Sequence, residues 1–260
     1  MELIAGNKEL ELLNEQLNNP EVLREYKTPL DGYKPSLLPR ILGTILVTCG
    51  NVVYGEAPSY LKFRAVEIIA RVPYHSWSSA AYTLLTMFYA DENKAIALSK
   101  SERYFRIAED NETMHVIVVS QLADKEYKAG VIRHTIIPML FAFFYFAMSY
   151  FMFLVKPRWS FELNYLFESH AFEQYDRFLK SHEKELKNKP ILSTFLSHYG
   201  RFPISQYDFF LSVRNDEIIH RNQSIHEINE GSKALHCKQL AFLITCAVII
   251  VVTLLLMEIF

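Results

Sequence analysis

Cysteine, glycine and proline are all scarce in this sequence, with 3, 8 and 10 occurrences in 260 residues. Cys49, Cys237 and Cys246 form no CxxC pair and no even set, which argues against a disulfide framework or a zinc-finger site. The few glycines and prolines, together with 50% hydrophobic residues, exclude a collagen-like or disordered chain. An excess of positive charge is also missing, since 27 Lys and Arg oppose 29 Asp and Glu, so no nucleic-acid partner is expected.

The first 35 residues are polar, and we treat residues 1–35 as a separate N-terminal arm. The arm begins acidic and has no apolar core, so it fits neither a secretory signal nor an Arg-rich transit peptide. We expect a solvated segment. The alternative is a surface helix over residues 7–26 that is broken near residues 18–20.

Residues 240–257 form an apolar run without a single charged side chain. As a helix, this run would be about 27 Å long, close to the hydrocarbon thickness of a bilayer. We therefore predict a C-terminal transmembrane anchor within residues 231–260, with a buried core helix as the alternative. Lys233 and Lys238 precede the run, which places the remaining protein on the cytoplasmic, stromal or matrix-equivalent face.

Two more apolar segments occur at residues 37–53 and 135–155. The second segment carries no charge, is crowded with Phe and Tyr, and is followed by Lys156 and Arg158. Its length would allow it to cross a bilayer, whereas its aromatic content suits a helix that lies in the membrane interface. Periodicity does not choose between these two alternatives.

The chain between these segments has helical spacing and little strand-like alternation. It predicts four helices at residues 60–88, 94–127, 160–186 and 207–230, with helix-breaking residues between them. The expected fold class is therefore all-α, with a four-helix bundle as its centre.

Each predicted helix carries a glutamate that suits a metal site. Two of these glutamates stand alone, and the other two begin Glu-x-x-His motifs. The residues are Glu67, Glu112 with His115, Glu168, and Glu217 with His220. Residues at i and i+3 share one helix face, so each pair can bind one metal ion together. This is the ligand set of di-iron carboxylate bundles, and mixed oxygen and nitrogen ligands suit iron.

The order of these residues is more specific than either motif alone. Two Glu-x-x-His pairs are unsurprising in a chain with 9 His and 22 Glu. However, single Glu and Glu-x-x-His alternate at intervals of 45, 56 and 49 residues, which allow a helix and a return each time. Considered alone, Glu67 could instead form a salt bridge with Arg64 or Arg71. His115 and His220, considered alone, could instead be ordinary core histidines.

The sequence around these residues resembles the alternative oxidases, which are membrane-bound di-iron quinol oxidases, and most closely their plastoquinol-type branch. The resemblance covers about residues 60–226 and is most specific in the stretch FESHAFEQYDRFLK from Phe167. Shorter matches are ARVPY from Ala70, NETMH from Asn111 and RNDEIIH from Arg214. The resemblance implies that the six residues above bind two iron ions in a domain spanning residues 36–230.

The same resemblance assigns further roles. Asn111 and Asp216 match positions that orient the metal ligands. Tyr175 matches the family tyrosine that is thought to supply an electron during oxygen reduction. The alternative is that Tyr175 is an ordinary core tyrosine. The quinol-binding positions would be Lys62, Val66, Phe167, His170 and Ala171. Lys62 stands where the family usually has Arg, and its ammonium is a point charge rather than a planar fork.

The activity implied by the resemblance is the oxidation of two quinols, ubiquinol or plastoquinol, with reduction of O2 to two waters and no proton pumping. Residues 37–53 and 135–155 take the places of the family's two interfacial helices, and a homodimer through the apolar segments and the arm is expected. The sequence does not choose between three locations, which are the mitochondrial inner membrane, the thylakoid and a bacterial membrane. Two other hypotheses are a di-iron hydroxylase of a membrane quinone precursor or lipid, and a non-enzymatic, membrane-tethered helical protein that stores iron or scaffolds partners.

Overall fold

A computed structural model describes residues 7–229, and this part of the chain consists of helices and their connections. Its α-helices are α1 Asn7–Gln16, α2 Pro20–Lys27, α3 Leu37–Tyr54, α4 Tyr60–Ala70, α5 Val72–Phe88, α6 Glu92–Glu126, α7 Ile137–Val155, α8 Pro157–Asn188, α9 Thr194–Tyr199 and α10 Gln206–Asn229. A 3-10 turn, Thr28–Leu30, follows α2, and a π-helical segment, Ile132–Ile136, precedes α7. The predicted all-α class is confirmed, whereas the predicted anchor at residues 240–257 lies outside the described residues.

Helices α4, α6, α8 and α10 form the central bundle, with α8 and α10 in the most extensive contact. Two of the four predicted bundle helices, α6 and α10, are continuous, and α8 is kinked at His182, where φ is −122° and ψ is 15°. The helix predicted at residues 60–88 is instead divided into α4 and α5 at Arg71. Pro73 lies in the first turn of α5, where a missing N–H costs nothing, but its ring prevents the helical turn before it from continuing.

Helix α10 is polar but buried on nearly every side. A capping box starts it, because Asp208 N donates to Ser205 Oγ at 3.2 Å and Ser205 N donates to Asp208 Oδ2 at 3.0 Å. Helix α1 covers one side of α10, and the fully buried Leu10 and Leu17 pack there with apolar residues of α10. The expectation of a solvated N-terminal segment is therefore wrong. The alternative, two helical stretches broken near residues 18–20, describes the structure.

Helices α3 and α7 lie against the bundle and keep large apolar side chains on the outer surface. Gly43 permits the close approach of α3 to α8, since a Cβ there would lie 3.1 Å from Leu166 Cδ1. The exposed apolar residues include Leu37, Ile41 and Ile45 of α3 and Met139, Phe143, Phe144 and Phe151 of α7. By length and composition, Leu37–Tyr54 and Ile132–Val155 can each cross a membrane. A core helix of a soluble protein would be mostly buried, whereas the most apolar 18 residues of these segments are only 11% and 28% buried.

Candidate metal centre

The six predicted ligands meet in the buried centre of the bundle, where none is more than 3% exposed. Their oxygen and nitrogen atoms fall into two groups of four, and within each group the atoms lie within 4.8 Å of one another. The first group is Glu67, Glu112, His115 and Glu217, and the second is Glu112, Glu168, Glu217 and His220. Glu112 and Glu217 belong to both groups. Their carboxylates therefore lie between two positions that can each hold a metal ion.

Most of the inward-facing atoms of this centre have no hydrogen-bond partner. These atoms are Glu67 Oε2, both carboxylate oxygens of Glu112 and of Glu217, His115 Nδ1, and both ring nitrogens of His220. His220 Nδ1 lies 2.8 Å from Glu112 Oε1, but the contact lacks the direction of a hydrogen bond. A buried polar atom without a hydrogen-bond partner costs about 1–3 kcal/mol of folding free energy. A cluster of so many such atoms is therefore rare in a protein core. The three carboxylates and two imidazoles with unpartnered atoms, together with Glu168, fit a pair of divalent cations.

The pKa values of the buried carboxylates also indicate a site for cations. Burial, and then the charge of Glu112, raises the pKa of Glu67 to about 8. Burial, followed by Glu112 and Glu168, raises the pKa of Glu217 well above its ordinary value. Burial opposes ionisation of Glu112 as well, but the charges of the two histidines outweigh it and lower the pKa of Glu112 to about 2. Without bound metal, the centre therefore holds protons that two divalent cations would replace.

Asp216, which the resemblance assigns to orienting the metal ligands, contacts His115. His115 Nε2 lies 2.8 Å from Asp216 Oδ2 and, assigned as the protonated nitrogen, donates to it. His115 Nδ1 then faces Glu67, Glu112 and Glu217, whose nearest oxygens lie between 3.4 and 3.7 Å away. Asn111 Nδ2 donates to the same Asp216 Oδ2 at 3.1 Å. Both predicted orienting residues therefore lie beside the centre, and the ring presents its free nitrogen to the carboxylates.

Two residues that hold Glu168 were not predicted. Tyr74 Oη donates to Glu168 Oε1 at 2.8 Å, and Asn164 Nδ2 donates to the same oxygen at 3.0 Å. Asn164 also donates to Ser224 Oγ at 3.1 Å, which connects α8 to α10. The position of Asn164, four residues before Glu168 on the same helix face, is the signal that would have identified it.

Tyr175 lies at the opposite side of the centre from this pair. Its hydroxyl donates a hydrogen bond to Glu67 Oε1, and its ring stacks on Phe63 with 4.1 Å between centroids. Burial, and then the charge of Glu67, raises the pKa of Tyr175 well above its ordinary value, so the phenol stays protonated at neutral pH. The contact with a candidate ligand agrees with the predicted position, and the redox role stays a prediction.

The five predicted quinol-binding residues lie on α4 and α8. Lys62 is buried, and its Nζ donates to Gly55 O at 2.8 Å and to Asn51 Oδ1 at 3.0 Å, so it ties the α3–α4 connection together. Val66, Phe167, His170 and Ala171 are half-buried. Phe167 contacts Tyr145 of α7, with ring centroids 5.7 Å apart. Lys62 and Phe167 therefore lie where the bundle meets the two apolar helices.

A surface cavity of about 470 Å³ lies elsewhere, between α5 and α7. It is lined by Ser78, Ser79, Tyr82, Thr83, Phe146 and Tyr150. None of the predicted quinol-binding residues contributes to this lining, so the cavity and the predicted quinol site are different places.

Comparison with known proteins places this geometry in a family. The chain matches the family model "Alternative oxidase" over residues 45–229. It is 27% identical over 184 residues to ubiquinol oxidase 4, chloroplastic/chromoplastic, from Arabidopsis thaliana, an alignment that covers 62% of this chain and 49% of that protein. The chain thus spans about half the length of this curated relative, and no solved structure matches it. The predicted resemblance is confirmed, and the chain belongs to the alternative oxidase family.

Proposed function

We propose that this protein is a membrane-bound di-iron quinol oxidase, which oxidises ubiquinol or plastoquinol and reduces O2 to water without proton pumping. The observation that carries the proposal is the pair of buried ligand groups that share Glu112 and Glu217. Membership of the family supports it, as does the name of the Arabidopsis relative, a ubiquinol oxidase.

Two iron ions would occupy the two groups. Glu67 and His115 would belong to one ion and Glu168 and His220 to the other, with Glu112 and Glu217 between them. Bound iron would supply the oxygen chemistry, which the side chains cannot perform without it. Two quinols release four electrons and four protons, and one O2 takes up both to give two waters.

The protein's own residues shield and organise this reaction. Phe63, Phe178 and Phe210 are buried beside Tyr175 and exclude water from that side of the centre, which limits release of partly reduced oxygen. Tyr175 would supply an electron to the centre. Because its hydroxyl already donates to Glu67 Oε1, the phenol can pass its proton to that carboxylate as the electron leaves, and a later quinol would restore both.

The quinol would enter from the bilayer between the bundle and the apolar helices. Phe167 is a neighbour of both His170 and Ala171 on the surface of α8, since these follow it by three and four positions. The half-buried imidazole of His170 would accept a hydrogen bond from the quinol headgroup, while Val66 of α4 offers apolar contact. Lys62 already has backbone and side-chain partners, so we assign it to holding the α3–α4 connection beside the headgroup.

The exposed faces of α3 and α7 would rest in one leaflet of the membrane, with the bundle on the cytoplasmic, stromal or matrix-equivalent face. The membrane would be the mitochondrial inner membrane, the thylakoid or a bacterial membrane. A homodimer through the apolar segments is part of the proposal. Cross-linking in mild detergent should trap a dimer, and a product that is monomeric at every detergent level would contradict it.

The activity is tested by oxygen uptake of the purified, detergent-solubilised protein with a short-chain quinol. Uptake should be insensitive to cyanide and abolished in Glu168→Ala. The matched control is Glu183→Ala on the same helix, where the side chain is 53% exposed, and it should retain wild-type uptake. A hydroxylated product would favour the hydroxylase hypothesis. Absence of both bound iron and uptake would mean that the buried carboxylates are structural.

A further inference from the structure

A continuous line of hydrogen bonds runs from the surface of the protein to His115. Glu11 on α1 accepts two bonds from Arg201, from Nη2 at 2.6 Å and from Nε at 2.9 Å. Arg201 also donates to both oxygens of Asp216, from Nη1 at 2.6 Å and from Nη2 at 3.2 Å. Asp216 in turn accepts from His115 Nε2 at 2.8 Å. Four side chains thus connect α1 to α6 through α10.

Helix α1 holds Asp216 through a second contact. Asn14 Nδ2 donates to Asp216 Oδ1 at 2.6 Å and to Ser212 O at 2.7 Å. Asn215 Nδ2 donates to the backbone oxygen of Asn14 at 3.0 Å. Glu11 and Asn14 are three residues apart, so they share the face of α1 that meets α10.

Arg201 depends on both of its carboxylate partners because it is only 7% exposed. Burial opposes the charged guanidinium, but Asp216 and Glu11 outweigh burial and raise the pKa of Arg201 above its ordinary value. Loss of one partner would leave donors of a buried cation unsatisfied, which is costly. Arg201 would then rearrange, and Asp216 would move with it because it accepts two of the guanidinium bonds.

At the other metal position, Glu168 is held by Tyr74 and Asn164, but the histidine has no comparable support within residues 7–229. Neither ring nitrogen of His220 makes a hydrogen bond in this part of the chain. The ring is held by packing instead, for example against Tyr74, with 5.4 Å between centroids. The two histidines are therefore positioned by different means, one by a charged network and the other by contact.

We propose that Glu11, Asn14 and Arg201 are positioning residues for the metal position that contains His115, so that α1 sets the metal affinity of that position and not of the other. The inference rests on the proposed di-iron function. Groups that orient a metal-bound histidine typically change metal affinity 10- to 100-fold when they are mutated.

The test measures Co²⁺ binding to the metal-free, full-length protein by visible absorption and calorimetry. The wild type should bind two ions. His220→Ala and His115→Ala each remove one histidine, so each variant isolates the metal position of the other. Glu11→Gln should weaken binding about 10-fold in the His220→Ala background and less than about twofold in the His115→Ala background. Its effect should also appear as a shift of the Co²⁺ absorption bands.

Two further variants complete the design. Arg201→Lys keeps the charge but loses the fork that joins two carboxylates, so it should weaken the same position at least as much. Glu15→Gln makes the same charge change at an exposed position of α1 and should bind both ions like the wild type. Helical circular dichroism and thermal unfolding of each metal-free variant identify any loss that reflects unfolding, and Glu11→Asp replaces Glu11→Gln if that variant is unstable.

The outcomes separate the inference from the proposed function. If the wild type binds no Co²⁺, the proposed metal centre is wrong and the inference is wrong with it. If the wild type binds two ions but Glu11→Gln and Arg201→Lys leave both affinities unchanged, or weaken both equally, only the positioning role is overturned.

Discussion

The hydroxyl of Tyr74 lies 2.8 Å from the carboxylate of Glu168, and this hydrogen bond joins α5 to α8 at the centre of the bundle. Helix α5 exists as a separate element because the chain breaks at Arg71. The break therefore places a tyrosine of one helix directly on a candidate ligand of another.

Tyr74→Phe should weaken iron binding about 10-fold, because Glu168 Oε1 then keeps Asn164 as its one protein donor. Iron content after dialysis against a graded chelator series measures the change. Tyr82→Phe is the matched control, since Tyr82 lies on the same helix and is 71% exposed. Equal iron retention in both variants would show that this hydrogen bond does not orient the ligand.

Tyr175→Phe should reduce oxygen uptake by roughly 100-fold, because it removes the group that moves a proton to Glu67. Iron binding should weaken about 10-fold as well, because Glu67 Oε1 loses the hydrogen bond from Tyr175, so oxygen uptake is compared at saturating iron. Oxygen uptake and iron analysis on the same preparation separate the two effects. Wild-type turnover would identify Tyr175 as an ordinary core tyrosine.

Glu227 should make the stability of the bundle depend on pH. Its carboxylate accepts a 2.6 Å hydrogen bond from Ser101, but burial dominates and raises its pKa from 4.5 to about 7. Between these values the folded protein keeps a proton that the unfolded chain has released. The contribution of Glu227 to the free energy of unfolding is therefore full below about pH 4.5, declines as the pH rises, and is lost above about pH 7.

Glu227→Gln should consequently stabilise the protein at pH 8 by on the order of 1–3 kcal/mol and change little at pH 4.5. Urea unfolding at the two pH values measures this difference. Glu25→Gln, an exposed substitution on α2, should follow the wild-type pH profile. A Glu227→Gln variant that is destabilised at pH 8 would contradict the sign.

Gly43→Leu should destabilise the protein by about 1–3 kcal/mol, because the new side chain would overpack the contact between α3 and α8. Gly50→Leu provides the control on the same helix, since a Cβ there meets nothing within 4 Å. That substitution should be neutral or stabilise α3, because leucine favours a helix more than glycine does. Thermal unfolding in detergent compares the two, and equal effects would mean that α3 does not pack as described.

Phe144 should contact lipid when the protein is reconstituted into vesicles. Phe144→Trp should gain fluorescence that brominated acyl chains quench. Phe202→Trp should gain fluorescence that they do not quench, although Phe202 is 73% exposed, because it lies outside α3 and α7. Quenching is compared with the wild-type background from its two tryptophans. Equal quenching of both variants would contradict the proposed orientation of the bundle.

The bundle and its acidic centre were predictable because their signals are regular. Helical spacing, breakers between segments and one acidic motif per helix each depend on local sequence. The division at Arg71 was missed, although Pro73 is a local signal, because the surrounding residues form helix well on both sides. Local helical preference therefore predicted that residues 60–88 are helical, but not that they form two helices.

The network that reaches Asp216 was not predictable in the same way. Glu11 and Arg201 are 190 positions apart in the chain. From the sequence alone, each would be interpreted as an ordinary charged residue on the solvated surface. Their partnership arises only when α1 and the residue that follows it pack on α10 through Leu10 and Leu17. The acidic start of the chain gave no sign of this, because charge alone does not reveal which helix face becomes buried.

The burial of α10 on nearly every side has a consequence for mutational tolerance. Of its 24 residues, 17 are buried, and many of these are polar side chains with specific partners. A surface helix accepts most substitutions on its outer half, but α10 has almost no outer half. In a saturation screen for function, α10 should therefore stand out as a nearly unbroken intolerant block, whereas α7 should accept any apolar residue on its exposed face.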